Sequence, residues 1–310
     1  MMFSNIYKAK KRMNGSKNPD TAILRKAGDI LTEEYQVYGE TTNKTAKKSY
    51  WDAAKGLQQV DGLKPTKYLS ELAEANIEGE LTYHQVEDLL YKRYENESNE
   101  DIQNRNKEAD LVAARIAHIL DSPGYPLKIT SLKAIHKELF KDIYDHAGQF
   151  RKVNIYKPEP VLNGETVKYT NYTALEDTLE YDFDTEKSKS YAGLTEDKVI
   201  KRIASFTSSI WQAHPFMEGN TRTTAVFMEC YLNNMGFSVD NTMFKDYSQY
   251  FRNALVRANF ADYKNGITET NQYLENFYKN LLSGAGFQLR NRDLILKERF
   301  TPGRDNGIEL

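Results

Sequence analysis

Cysteine is nearly missing from this sequence: Cys230 is the single one in 310 residues. One thiol excludes an internal disulfide framework and a cysteine-based zinc site, and it points to a reducing compartment. No run of about 18 consecutive apolar residues exists to span a membrane. The basic N-terminus (MMFSNIYKAKKRMNG) also lacks the apolar stretch of a secretory signal. Net charge is slight, 42 Lys+Arg against 44 Asp+Glu leaving −2, which removes any general case for nucleic acid as the main partner. Helix breakers are scarce, with 17 Gly and 8 Pro, and no repeat of solenoid period occurs. These absences lead to the expectation of a soluble, cytoplasmic, mainly helical protein, with delivery into another cell left open.

What is present divides unevenly along the chain. Residues 1–50 carry ten basic and five acidic side chains. The run Lys8 to Arg12 reads as a solvated basic arm, with contact to nucleic acid as the weaker reading. Residues 51–104 form a helical region. Pro65 opens a helix with Tyr68, Leu69 and Leu72 in phase, closing near Gly79. Thr82 and Gln85 then make a capping-box pattern ahead of Val86, Leu89, Leu90 and Tyr94. The polar stretch 95–108 reads as a connector or a solvated helix end, and helical periodicity returns at 109–120 and 131–140. The spacing of Val199, Ile203, Phe206 and Ile210 predicts a buried helix over 196–213, ended by His214-Pro215. A second helix follows over 221–235, closed by Gly236. Asn163-Gly164, set between Val161-Leu162 and Thr166-Val167-Lys168, predicts the one β-hairpin of an all-α chain. Its exposed edge would suit strand addition by an extended segment.

The residues between the two central helices, His214-Pro215-Phe216-Met217-Glu218-Gly219-Asn220-Thr221-Arg222, carry the chemistry. Gly219 and Asn220 at a helix mouth can turn successive N–H groups toward one point, and the helix dipole favours an anion there, phosphate above all. Arg222 in the first helical turn opposes that dipole unless it reaches the same anion. Glu218 beside a phosphate calls for a divalent cation between them, and one carboxylate plus phosphate oxygens suits Mg²⁺. His214 is placed to take a proton from an attacking hydroxyl.

This stretch resembles the HPFx[D/E]GNGRxxR signature of the Fic (filamentation induced by cAMP) family. Thr221 stands for the usual glycine and Ala225 for a second arginine. The resemblance extends over 132–157, with His146 where tryptophan is frequent, over the Asn163-Gly164 segment, and over 250–259, so that residues 105–285 are expected to form the Fic domain and 286–310 a charged tail. It implies an all-α Fic fold with a hairpin flap of Val161, Leu162, Asn163, Gly164, Glu165, Thr166, Val167 and Lys168 that docks the target. It implies AMP transfer from ATP to a Ser, Thr or Tyr hydroxyl of a protein. His214 is then the general base, Glu218 the Mg²⁺ ligand, and Gly219, Asn220, Thr221 and Arg222 the nucleotide-phosphate site. The alternatives are removal of AMP, transfer of another nucleotide, or a nucleotide-binding regulatory module without transfer.

Many Fic proteins restrain themselves through an [S/T]xxxE[G/N] helix. Residues 74–79 (EANIEG) resemble it and the small Fic antitoxins, which marks Glu78 as the expected inhibitory residue, with Glu275 of the NQYLEN stretch as its rival.

Overall fold

The computed structural model describes residues 39–95, 100–122 and 124–296, so the basic run Lys8 to Arg12 lies outside the described residues. Among them are ten α-helices: α1 (Lys44–Leu57), α2 (Lys67–Glu78), α3 (Tyr83–Glu95), α4 (Glu100–Asp121), α5 (Ile129–Phe140), α6 (Leu175–Ser188), α7 (Glu196–Ala213), α8 (Asn220–Asn234), α9 (Thr242–Ala258) and α10 (Gln272–Ser283).

Local chemistry sets several of these boundaries. The Thr66 side chain caps α2 by accepting from the Leu69 N–H, and Gly79 ends the helix in the left-handed region at φ 84°. The expected capping box forms: the Gln85 N–H donates to Thr82 Oγ1 at 3.2 Å, and the Thr82 N–H donates to Gln85 Oε1 at 2.8 Å. Helix α4 begins earlier than the polar 95–108 stretch suggested, because residues from Glu100 onward continue its helical register.

Helix α8 is the central rod. Every residue from Asn220 to Leu232 is buried, with α5 and α7 packed against it. Helix α1 lies between α4 and α9. Gly56 permits that packing, since a Cβ there would sit 2.4 Å from Lys245 Cα and from the Phe244 carbonyl oxygen. One continuous apolar core runs from Trp51 to Leu294. The tail expected from residue 286 onward packs in its first part, with Leu289 and Leu294 buried.

The hairpin forms its turn but not its strands. Asn163 and Gly164 both take positive φ, 55° and 92°, and the Glu159 N–H donates to the Glu165 carbonyl at 2.9 Å. Pro160–Leu162 then coils as a 3₁₀ turn, and no β-strand occurs among the described residues. Pro158 and Pro160 have no N–H to donate, and the Lys157 N–H goes to the Thr166 hydroxyl instead. A ladder therefore has nothing to extend along. Val161, Leu162 and Val167 point inward and are buried, while Asn163, Gly164, Glu165 and Lys168 are exposed.

Candidate active site

The loop 214–219 joins the C-terminus of α7 to the N-terminus of α8, and its shape is pinned from several sides. His214 caps α7 in the left-handed region at φ 47°, and Gly219 precedes α8 at φ 73°. A Cβ on Gly219 would strike the Phe140 ring at 2.3 Å, so glycine is required by space as well as by backbone angle. The Asn220 side chain closes the loop on itself: Oδ1 accepts from the Phe216 N–H at 2.9 Å and Nδ2 donates to the Phe216 carbonyl at 2.8 Å. Phe216 stacks on His136 with ring centroids 3.7 Å apart. His136 Nδ1 accepts from the Gly148 N–H, so its Nε2 carries the proton toward the Glu218 carbonyl at 3.1 Å. Arg151 is a second brace, donating to the His214 carbonyl at 2.8 Å and to Val153 at 2.6 Å, and also bonding the Thr170 carbonyl.

His214 is nearly buried, with Tyr169 stacked on its ring at 4.0 Å and Trp211 at its edge. Nδ1 lies 3.1 Å from the Trp211 carbonyl oxygen. That oxygen can only accept, so Nδ1 holds the proton and Nε2 the lone pair. Burial, reinforced by the charges of Lys157, Arg252 and Arg151, pushes the imidazole down to about 3 against a bond to Trp211 that works the other way. It is neutral at physiological pH.

A cavity of 590 Å³ opens in front of this loop. Glu218 and Arg222 line it, with Asp61, Glu108, Arg105, Lys157 and Arg252. His214 stands behind the lining, under Tyr169. Thr221 is nearly buried and its hydroxyl accepts from Trp211 Nε1 at 2.9 Å. Ala225 lies fully buried in the α8 packing.

Arg222 is 1% exposed, with two nitrogens hydrogen-bonded and the third in an ion pair that lacks hydrogen-bond alignment. Nη1 donates to Gln58 Oε1 at 3.1 Å, Nη2 to Glu108 Oε1 at 2.6 Å, and Nε is ion-paired with Asp61 Oδ2 at 2.8 Å. The guanidinium also lies over the Phe140 ring. The structure does not bring Glu78 to this arginine. Glu78 sits exposed at the end of α2 and pairs with Lys44. Glu275 is in the first turn of α10, facing Lys279 and outside the cavity lining.

The acidic partners of Arg222 were missed in the sequence, yet each left a signal. Asp61-Gly62 follows a helix end and shares the acid-then-small ending of the inhibitory pattern. Glu108 stands one turn ahead of Val112 and two ahead of Arg115, both buried, and so lies on the inward stripe of α4.

Residues 126–232 match the model of the Fic/DOC family. This stretch is a Fic domain. Among curated proteins, the chain is 30% identical over 136 residues to a protein of Salmonella typhimurium named "probable protein adenylyltransferase Fic", covering 42% of this chain and 62% of that one. It is 27% identical over 133 residues to protein adenylyltransferase VbhT of Bartonella schoenbuchensis, covering 43% of this chain and 25% of the other. The match to both relatives therefore falls short of two thirds of their length. Among solved structures, the N-terminal Fic domain of an effector from Bartonella sp. AR 15-3 aligns with a TM-score of 0.48 at 18% identity, over 59% of this chain and 83% of that one. The Fic domain and the helices around it are all-α among the described residues, and no helix there is long and apolar enough to cross a membrane.

Proposed function

We propose that this protein is an adenylyltransferase that moves AMP from ATP to a hydroxyl side chain of a target protein, held in check by acidic side chains on Arg222. The observation that carries the reading is the loop 214–222 itself, which lines one cavity with Glu218 and the buried Arg222 guanidinium and holds a helix N-terminus and a neutral imidazole behind them. The α8 N-terminus and the Gly219, Asn220 and Thr221 backbone favour the phosphates. Arg222 supplies the positive charge opposite them. His214 Nε2 takes the proton of the target hydroxyl as its oxygen attacks the α-phosphorus, and pyrophosphate leaves. The exposed flap turn around Asn163-Gly164 meets the target.

Glu218 is the residue that would hold Mg²⁺, where the ion would neutralise phosphate charge. Its carboxylate is exposed at the cavity, and among the described residues no group of three or more His, Cys, Asp or Glu side chains forms a cage of its own. A single carboxylate fits an ion that shares its coordination with nucleotide oxygens.

The restraint we propose is Asp61 with Glu108, in place of Glu78. A phosphate and these carboxylates compete for the same guanidinium charge, so nucleotide must displace at least one of them. The test is incubation of a lysate with ATP labelled at the α-phosphate and the purified protein. Asp61→Asn should label targets more strongly than wild type, His214→Ala should label none, and Glu78→Gly should resemble wild type. Tight ATP binding without label in every variant would replace this reading by that of a nucleotide-binding module.

A further inference from the structure

Behind the cavity, a second set of residues converges on His214 from the opposite side. Glu159 is 0% exposed at the root of the flap turn. Its carboxylate receives both arms of Arg252, at 2.7 and 3.0 Å, and its backbone carbonyl accepts from Leu162 and Gly164. A fully buried carboxylate costs several kcal/mol of desolvation unless paired this closely, so its presence calls for an explanation beyond packing. On the return arm of the flap stands Tyr169. Its hydroxyl oxygen is shut off from solvent, and burial first, then the adjoining Glu159 carboxylate, push its ionisation up. Its ring covers the His214 imidazole at 4.0 Å and 23°, and meets Trp211 edge-on at 5.9 Å. Arg252 thus holds Glu159 at the outgoing arm of the flap, and Tyr169 on the return arm covers His214.

We propose that Tyr169 is the positioning residue of His214, and that the buried Glu159–Arg252 pair sets Tyr169 in place by anchoring the flap root to α9. A neutral imidazole held by one hydrogen bond at Nδ1 can still turn about that bond. A stacked ring fixes its plane, and with it the direction of the Nε2 lone pair. The Glu159 charge matters through Arg252: with the pair intact the flap root cannot slide along α9, and Tyr169 cannot leave the imidazole. A target engaging the exposed flap tip pulls on the same short segment that carries Tyr169, which couples docking to alignment of the base. The inference rests on the transfer reading for its kinetic consequence, while its geometric content stands apart from any activity.

The experiment therefore has two arms. In the first, nitrogen NMR of the imidazoles, with the His214 signal assigned from its loss in His214→Ala, reports tautomer and titration without substrate. Wild type and Tyr169→Phe, which keeps the ring, should show the Nδ1–H tautomer and no protonation at mildly acid pH. Tyr169→Ala should mix tautomers and move the titration toward the ordinary histidine range, with Lys157, Arg151 and Arg252 as the remaining charges facing the ring. Glu159→Gln should move both in the same direction, and Glu159→Gln with Arg252→Met, which removes both charges, should restore them in part. In the second arm, Tyr169→Ala should lower kcat roughly ten- to a hundredfold with little change in the KM for ATP, while Tyr169→Phe stays near wild type. An unchanged His214 tautomer and titration in Tyr169→Ala overturns the proposal whether or not the protein transfers AMP. Absence of transfer in wild type with the expected NMR changes overturns the transfer reading and leaves the positioning role in place.

Discussion

At position 221 the sequence carries a threonine where the Fic signature has glycine, and the structure gives that side chain a duty: its hydroxyl receives the buried Trp211 N–H. Thr221→Gly should leave that donor unpaired and cost about 1–3 kcal/mol in denaturant unfolding, whereas Thr221→Ser should hold near wild type. Gly219 sits under the opposite constraint. Gly219→Ala would drive a methyl into the Phe140 ring that underlies Arg222, so transfer should fall with ATP affinity, and a nucleotide titration by calorimetry would show it. His214 differs again, because the change falls on the chemistry. His214→Ala should lower transfer by about 10²–10⁴-fold while ATP still binds. Because the imidazole stays neutral down to about pH 3 in the free protein, the acid limb of kcat/KM due to His214 should lie below the ordinary histidine value near 6.5.

Among the elements, the helices that frame the site were legible because their signals are local. The α7 periodicity, the His214-Pro215 stop and the Gly236 end all depend on residues within a few positions. The capping box at Thr82 and Gln85 formed as read, for the same reason. The hairpin shows where local signals stop: Asn163-Gly164 made its turn, but a ladder needs donors on both arms, and two prolines removed them. The partners of Arg222 were hidden differently. Asp61 and Glu108 are 161 and 114 positions from Arg222 along the chain, and only the packing of α1 and the turn after it, α4 and α8 makes them neighbours. The EANIEG stretch matched the inhibitory pattern more fully than Asp61-Gly62 did, yet the end of α2 faces solvent and Lys44. At Gly56 the α1 backbone meets the α9 backbone directly. Gly56→Ala would force α1 from the α9 backbone, and its cost should be roughly 2–4 kcal/mol, read as a lowered urea midpoint.

For the whole molecule, buried titratable groups set the pH range of stability. Glu229 on α8 is 1% exposed, and neither carboxyl oxygen has a hydrogen-bond donor. Burial pushes it up to about 8 from 4.5, with Asn241 beside it acting in the other direction. The fold thus keeps a proton that the unfolded chain releases. Its contribution is complete below pH 4.5 and is lost as pH rises to about 8. Glu229→Gln should flatten that alkaline fall and raise stability at pH 8 by roughly 1–3 kcal/mol. His136 and His214 act with the opposite sign. Both are held down to about 3 by burial, so their contribution is complete above pH 6.5 and erodes as pH falls toward 3. The slopes overlap between pH 4.5 and 6.5, where two histidines outweigh one glutamate, so thermal melts should peak near pH 6.5, and Glu229→Gln should turn the fall above it into a plateau.

Gln58, Asp61 and Glu108, the three side chains that occupy Arg222, all precede the 126–232 stretch that matches the Fic/DOC family. The same upstream helices also supply Trp51, Leu57 and Val112 to the single core. The proposed restraint and the foundation are thus made of one piece of chain. Cutting that piece away would free the arginine and at once leave it as an uncompensated buried charge beneath a missing wall, so truncation cannot separate loss of control from loss of structure. For the same reason the upstream region is not an interchangeable regulator that could be traded between Fic domains at a linker. The proposed restraint is open to revision by single substitutions at positions 58, 61 and 108, while the upstream helices themselves belong to the core.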